Sequence, residues 1–139
     1  MLYLLQQSYY DSHSMSDVAY EGGESMVSIS SDVIRGYNDT IILFLLMKKP
    51  SYGYEISKQI RQISEEKYVI KETTLYSAFT RMEKNGYVES YQDSNNETGK
   101  RRTYYRITEE GKQYYQLKCE EWKVTQDVIQ RFICSSSDA

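Results

Sequence analysis

Short hydrogen-bonding side chains and cations are concentrated in one stretch of the chain, KETTLYSAFTRMEKNG, at residues 71–86. Its polar side chains are hydroxyls and cations, namely Thr73, Thr74, Tyr76, Ser77, Thr80, Arg81 and Lys84. Hydroxyls suit phosphate oxygens and the edges of either base type, and cations attract phosphates. These residue types therefore favour non-covalent contact with a nucleic acid over a chemical reaction.

The same stretch has the spacing of an amphipathic helix. Leu75, Phe79 and Met82 recur at i, i+4 and i+7, which places them on one face and ties that face to a core. Gly86 supplies the left-handed conformation that commonly closes a helix. Taken alone, such a stretch is more often an ordinary solvated surface helix, so its neighbours decide between the two interpretations.

A buried helix is predicted first. Ser31 or Asp32 caps it, and it runs to Lys49 through a continuous apolar run, residues 41–47, that indicates burial on most sides. Pro50 ends the helix because proline cannot continue the hydrogen-bond ladder.

A second, shorter helix is predicted next, over YGYEISKQIRQIS. Ser51 is its expected cap, and Ile56, Ile60 and Ile63 again follow the i, i+4, i+7 spacing. A polar connection, residues 65–71, joins it to the opening stretch. Two short helices joined by a brief turn, the second with a polar outer face, form a helix-turn-helix pattern.

Beyond this pattern the periodicity changes from helix to strand. Residues 87–92 and 103–108 alternate apolar and polar side chains and are rich in residues that suit strands. The turn-rich tip between them carries Lys100, Arg101 and Arg102. The predicted fold is therefore a winged helix-turn-helix, mainly α with a small β-hairpin wing, in the α+β class.

A final helix is predicted from Thr108, its cap, to about Cys134, with Glu109 and Glu110 favourably placed in its first turn. Its apolar residues fall on two nearly opposite sides. One side carries Tyr115, Cys119, Trp122, Ile129 and Ile133, and the other carries Leu117, Val124, Val128 and Phe132. Such a helix needs two surfaces, and in a short chain the second is expected to be another subunit.

The length of 139 residues suits one compact domain. Residues 1–31, rich in Ser, Tyr, Gln and Gly, are predicted to be a disordered or leader extension. They are followed by a DNA-binding domain at 32–108, a dimerisation helix at 109–134 and a tail at 135–139. Met15 and Met26 leave open that translation starts within the extension.

The net charge of -3 is unevenly distributed. Residues 1–34 contain five acids and no Lys or Arg, which leaves all 17 Lys and Arg against 15 acids in the rest of the chain. That body is only weakly basic, at about +2, so contact with phosphate must depend on where the cations lie.

Other function classes find little support. Cys119 and Cys134 are 15 residues apart and the single histidine is His13, so no metal site, cofactor or Cys/His nucleophile is predicted. No Gly-rich phosphate loop or paired-carboxylate site emerges, and an enzyme is not expected. No apolar run approaches a membrane span, and a cytoplasmic location with reduced thiols is predicted.

Four motifs together resemble the PadR family of winged-helix transcriptional regulators, over roughly residues 34–133. They are KKPSYGYEI, TLYSAFTRMEKNGYVES, GKRRTYYRITEEG and EEWKVTQDVIQRFI. The short last helix is similar to the compact subfamily that includes multidrug-sensing repressors. The resemblance implies a homodimer that places two recognition helices in successive major grooves of double-stranded operator DNA.

By position, the resemblance implies DNA contacts from the helix residues Thr73, Thr74, Tyr76 and Ser77 and from the wing residues Lys100, Arg101 and Arg102. A plain solvated turn is the alternative for the wing cations. Tyr104 and Tyr105, and Tyr76 in part, are expected to pack within the structure.

The resemblance also implies a site for a flat aromatic effector, since tryptophan offers such guests a broad ring with a negative face. Its predicted members are Trp122, Cys119 and Gln126 on the last helix and Val33, Gly36 and Asp39 on the first. The alternative is that Trp122 fills a dimer core. The sequence thus predicts an effector-released repressor, with a winged-helix protein-interaction adaptor as the competing hypothesis because the fold does not fix function.

Overall fold

The computed structural model describes residues 20–21, 24–25, 27–94 and 99–133. The helices in this part of the chain are α1 (Ser31–Ile34), α2 (Asn38–Lys48), α3 (Gly53–Ile63), α4 (Glu72–Lys84) and α5 (Glu109–Gln130). The strands are β1 (Tyr20–Glu21), β2 (Glu24–Ser25), β3 (Ser51–Tyr52), β4 (Val88–Ser94) and β5 (Arg101–Ile107). The molecule is thus mainly helical with a small sheet, as the sequence predicts.

The predicted first helix is in fact two helices. Ser30, rather than Ser31 or Asp32, caps α1, its Oγ accepting from the Val33 N–H at 3.3 Å. The chain then turns, with the Tyr37 N–H bonded to the Ile34 carbonyl at 2.8 Å, before α2 begins. The break falls beside Gly36, whose missing side chain makes a turn easy. Pro50 ends α2 as expected, with Lys49 in an extended conformation.

The helix-turn-helix consists of α3, a turn and α4. Glu65 and Glu66 in the turn have positive φ values of 54° and 67°. The Ser64 hydroxyl accepts from the Tyr68 N–H at 3.1 Å and donates to the Tyr68 carbonyl at 3.0 Å, which closes the connection. Gly86, at φ 78°, ends α4 in the predicted left-handed conformation.

The wing is a three-stranded antiparallel sheet in the order β3-β5-β4, where the sequence predicts a two-stranded hairpin. Ser51 pairs with Tyr105 and Tyr52 with Tyr104, so this segment forms the third strand. Ser51 is therefore not the cap of α3, which begins after Tyr52 without a side-chain cap. The Ser51 hydroxyl instead donates to Glu55 Oε1 at 2.7 Å.

One hydrophobic core joins α2, the helix-turn-helix and the base of the wing. Its buried apolar residues are Ile42, Leu43, Leu45, Leu46, Ile56, Ile60, Ile70, Leu75, Ala78, Phe79, Met82 and Val88. The Phe79 ring of α4 stacks on the Tyr105 ring of β5, with centroids 3.8 Å apart and planes within 5°. The α4 helix and the wing are therefore packed as one unit.

Thr108 links the end of the wing to the start of α5. Its Oγ1 accepts from the Gly111 N–H at 3.0 Å, as predicted for the cap, and donates to the Gly86 carbonyl at 2.6 Å. Its own N–H donates to the Tyr87 carbonyl at 3.1 Å. The helix ends at Gln130, short of the predicted Cys134, and Cys134 itself lies outside the described residues.

Within the predicted 1–31 extension, β1 and β2 pair antiparallel as two-residue strands. Residues 1–19, 22–23 and 26 lie outside the described part, as do the wing tip at 95–98 and residues 134–139. The prediction of a disordered extension therefore stays a prediction.

Candidate nucleic-acid interface

The buried and exposed faces of α4 separate as the sequence predicts. Leu75, Phe79 and Met82 are each at most 2% exposed, and Ala78 joins them. Thr73, Ser77 and Thr80 are exposed, and Thr74 is partly buried. Burial of one face against the core fixes the helix axis. The side chains of Thr73, Thr74, Ser77 and Thr80, here called the hydroxyl row, are therefore held on the molecular surface.

Two shallow open depressions flank this row. The first is lined by Arg35, Asn38, Thr73, Thr74, Ser77 and Arg81. The second is lined by Thr73, Tyr76, Ser77, Thr80, Arg81 and Lys84. All four predicted helix contacts thus lie together on one surface, next to cations that suit phosphate oxygens.

Tyr76 has both a packed and an exposed part, as expected. Its ring meets Phe79 edge-on, with centroids 5.9 Å apart, and the side chain is 44% exposed. Its hydroxyl lies over Gly53, where a Cβ would come within 2.6 Å of the phenol oxygen. The absence of a side chain at Gly53 therefore leaves the space that the Tyr76 hydroxyl occupies.

The wing cations do not form a single cluster. Because side chains alternate along a strand, Arg101 and Arg102 leave β5 on opposite faces. The Arg102 guanidinium lies 4.6 Å from the centroid of the Tyr52 ring, whereas Arg101 is exposed. Lys100, just before the strand, is also exposed.

An aromatic row braces the outer face of the sheet. The Tyr104 ring lies between Tyr52 and Tyr91, with centroid distances of 5.2 and 5.7 Å. Arg106 packs over Tyr91 at 5.0 Å and pairs with Glu89 at 3.1 Å. Tyr104 and Tyr105 therefore pack within the structure, as the sequence predicts.

Arg81, one of the cations in the stretch 71–86, was not among the DNA contacts predicted from the sequence. It lines both depressions, and its guanidinium forms an ion pair with Asp39 of α2. The hydrogen bond that Arg81 donates to Asp39 is the main cause that raises the pKa of Arg81. Its spacing of four residues from Ser77 could have predicted that Arg81 lies beside the hydroxyls. No pattern in the sequence could have predicted its partner Asp39, which lies 42 residues away.

The residues predicted for an effector site do not all face the same part of the molecule. Trp122 is 8% exposed and meets the Tyr37 ring edge-on, with centroids 5.1 Å apart. Asp39 is bound by Arg81 and so faces the recognition helix. Val33 is exposed, as is Gly36.

On α5 itself, Cys119 and Gln126 are partly buried. Cys119 lies beside Tyr115, and burial, with a smaller contribution from Cys119, raises the pKa of Tyr115. Among residues 27–94 and 99–133, no cluster of three or more His, Cys, Asp or Glu is placed to hold a metal ion. No helix in the described chain is long and apolar enough to span a membrane.

Comparison with known proteins identifies the family. The model of the PadR-like transcriptional regulator family matches residues 42–117. A solved transcriptional regulator from Clostridium thermocellum is 64% identical, covers 76% of this chain and 99% of its own, and superposes with a TM-score of 0.70. A PadR family transcription regulator from Clostridium difficile is 42% identical over 69% of this chain and 97% of its own, with a TM-score of 0.61.

A curated protein from Lysinibacillus sphaericus, described as uncharacterized, is 43% identical over 105 residues, which are 76% of this chain and 95% of that protein. The matches include the helix-turn-helix, the wing and the start of α5, the elements that hold the hydroxyl row and the cations. The chain belongs to the PadR-like family of transcriptional regulators.

Proposed function

We propose that this protein is a homodimeric, sequence-specific DNA-binding repressor that a small planar aromatic effector releases from its operator. The observation that carries the proposal is the row of hydroxyls and cations along α4, held rigidly beside the wing by the Phe79–Tyr105 stack. Thr73, Thr74, Tyr76 and Ser77 contact bases and phosphates, because hydroxyls serve both. Lys100, Arg101 and Arg102 add phosphate contacts from the wing.

The exposed side of α5 supports the homodimer. Leu117 is 60% exposed and Val124 64%, Val128 lies on the same stripe, and Phe132, just past the end of the helix, is 78% exposed. Apolar side chains in a stripe along one helix are normally covered by a partner. A symmetric pair then presents two recognition helices to half-sites roughly 34 Å apart.

The dimer is tested with Val124→Glu, which places a charge in the stripe. Analytical ultracentrifugation is expected to give a monomer for the variant and a dimer for the wild type. Lys123→Gln, at an exposed position on α5 with no stripe residue three or four positions away, is the control and is expected to remain dimeric. A wild-type protein that is monomeric at micromolar concentration would contradict the proposed dimer.

The effector proposal depends on Trp122. In one chain its ring is covered by Tyr37, so a guest must either displace Tyr37 or enter from the partner side. Cys119 and Gln126 on α5, with Val33 in α1 and Gly36 before α2, complete the proposed site, whereas Asp39, which the sequence also assigned to it, is paired with Arg81. Planar aromatic compounds are expected to quench Trp122 fluorescence and to release DNA. Quenching seen only on unfolding would assign Trp122 to the core instead.

DNA binding is tested by fluorescence anisotropy with the protein's own promoter region at several salt concentrations. Binding is expected to weaken steeply with salt, because each neutralised phosphate releases counterions. Genome-wide mapping of bound sites then identifies the operators, and transcript levels in a deletion strain are expected to rise at those genes. A protein-interaction adaptor would show neither salt-dependent binding nor discrete sites.

A further inference from the structure

One ion pair connects the recognition helix to the helix that precedes the helix-turn-helix. Arg81 on α4 bonds both carboxylate oxygens of Asp39 on α2, Nη2 to Oδ1 and Nε to Oδ2, the latter at 3.4 Å. The Asp39 side chain is 15% exposed, whereas the Arg81 side chain is 50% exposed. The carboxylate is thus largely covered, and the guanidinium keeps an open side.

The open side of Arg81 retains hydrogen-bonding capacity. A guanidinium has five N–H donors, and the Asp39 carboxylate occupies one on Nε and one on Nη2. Three donors remain, two on Nη1 and one on Nη2, on a side chain that is 50% exposed. A planar fork of this kind matches the oxygens of a phosphate.

Arg81 lies on the same face of α4 as the hydroxyl row. Thr73, Ser77 and Arg81 are spaced by four residues, so they lie one above another along one helix face. The three line the same two depressions. A phosphate that contacts the Thr73 and Ser77 hydroxyls therefore has the Arg81 donors as its next neighbour.

We propose that Arg81 is a further phosphate contact of the recognition helix and that Asp39 is the residue that positions it. The inference rests on the proposed DNA binding and adds to it a cation that the family motifs did not single out. Asp39 restrains a long side chain that would otherwise sample many rotamers, so less conformational entropy is lost when DNA binds. The same carboxylate was predicted to face an effector, and here it serves the DNA surface.

The first test is the salt dependence of DNA binding. Arg81→Ala is expected to weaken binding to operator and unrelated DNA alike, and to reduce the slope of log K against log salt by about one for each recognition helix. Arg131→Ala is the control for the loss of a cation, because Arg131 forms an exposed ion pair with Asp127 at 3.3 Å near the far end of α5. It is expected to leave the slope unchanged.

The second test separates positioning from simple charge repulsion. Asp39→Asn retains the shape but not the two-oxygen acceptor, and is expected to lower affinity roughly threefold to tenfold when Arg81 is present. In the Arg81→Ala background there is no side chain to position, so the same change is expected to have no effect or to raise affinity. Thermal melting of all four proteins confirms that each is folded at the assay temperature.

The outcomes distinguish this inference from the proposed function. An unchanged salt slope in Arg81→Ala, or an equal effect of Asp39→Asn in both backgrounds, overturns the inference while DNA binding by the wild type stands. A wild-type protein without salt-dependent binding overturns both. A reduced slope together with unequal effects supports both roles.

Discussion

Arg101 and Arg102 are adjacent in sequence but have different surroundings, and this predicts different consequences of their loss. Arg101→Ala is expected to weaken DNA binding without changing stability, because its side chain is exposed. Arg102→Ala is expected also to lower the free energy of unfolding by about 0.5–1 kcal/mol, since it removes the stack on Tyr52. Chemical denaturation and anisotropy titration measure the two effects, and equal stabilities of the two variants would contradict the assignment.

Gly53 gives a way to move the Tyr76 hydroxyl without changing the recognition helix. Gly53→Ala is expected to fold, because the atom that its Cβ meets at 2.6 Å is the far end of a movable side chain. It is expected to lower operator affinity by displacing the phenol. In a Tyr76→Ala background the ring is gone, so Gly53→Ala should then have no further effect on affinity. The same loss in both backgrounds would mean that Gly53 acts through something other than Tyr76.

Single residues were predictable where a local repeat specifies them. Leu75, Phe79 and Met82 follow a helical period, and burial of each is confirmed. The Arg81–Asp39 pair joins residues 42 positions apart, and no local pattern connects them. The separate environments of Arg101 and Arg102 likewise depend on Tyr52, which reaches Arg102 only through the third strand.

At the scale of elements, Gly111 controls how closely α5 approaches the base of the wing. A Cβ there would lie 2.1 Å from the Tyr87 carbonyl oxygen and 2.8 Å from Ile107 Cγ1. Gly111→Ala is therefore expected to lower the free energy of unfolding by about 2–4 kcal/mol, because a backbone atom cannot move aside as a side chain can.

Urea denaturation followed by circular dichroism measures this loss. Gly36→Ala is the control, since no heavy atom lies within 4 Å of a Cβ at that position. It is expected to change stability by no more than about 0.5 kcal/mol. Similar stabilities for the two variants would show that the contact between α5 and the wing base is loose.

Elements were predictable where capping and periodicity agree. The Thr108 cap, the Gly86 terminus and the end of α2 before Pro50 are all confirmed. The break between α1 and α2 was missed because the apolar run that follows dominates the pattern. β3 was missed because two residues have no period, and their strand partners lie more than 50 positions further along the chain.

At the scale of the whole molecule, several tyrosines connect stability to alkaline pH. Burial raises the pKa of Tyr68, Tyr105, Tyr114 and Tyr115 above the ordinary value of 10.0. The folded state thus favours the neutral phenol, and this stabilisation is fully present below pH 10.0. It is lost as the pH rises through the raised pKa values.

Phenolate absorbance and circular dichroism are to be recorded together during an alkaline titration. The phenols of Tyr68, Tyr105, Tyr114 and Tyr115 are expected to ionise late, together with unfolding, because burial raises their pKa. A single transition for all tyrosines, completed before any loss of structure, would contradict the burial of these side chains.

The overall architecture followed from the order of the elements, because a helix-turn-helix followed by a hairpin and a long helix has few compact arrangements. The pairing of two subunits is a property of a second chain and stays a proposal. Two nearly opposite apolar sides on α5 were the feature of the sequence that pointed to it.

The hydrogen bonds of the Thr108 hydroxyl have a mechanical consequence. They attach the start of α5 to Gly86 at the end of α4, so the 22-residue helix acts as a lever on the helix-turn-helix and the wing. At 1.5 Å per residue it is about 33 Å long, and a tilt of about 5° moves its far end by about 3 Å. In the proposed dimer, a small shift where the two α5 helices meet would conversely rotate each helix-turn-helix, so the distance between the two recognition helices can change without unfolding any element.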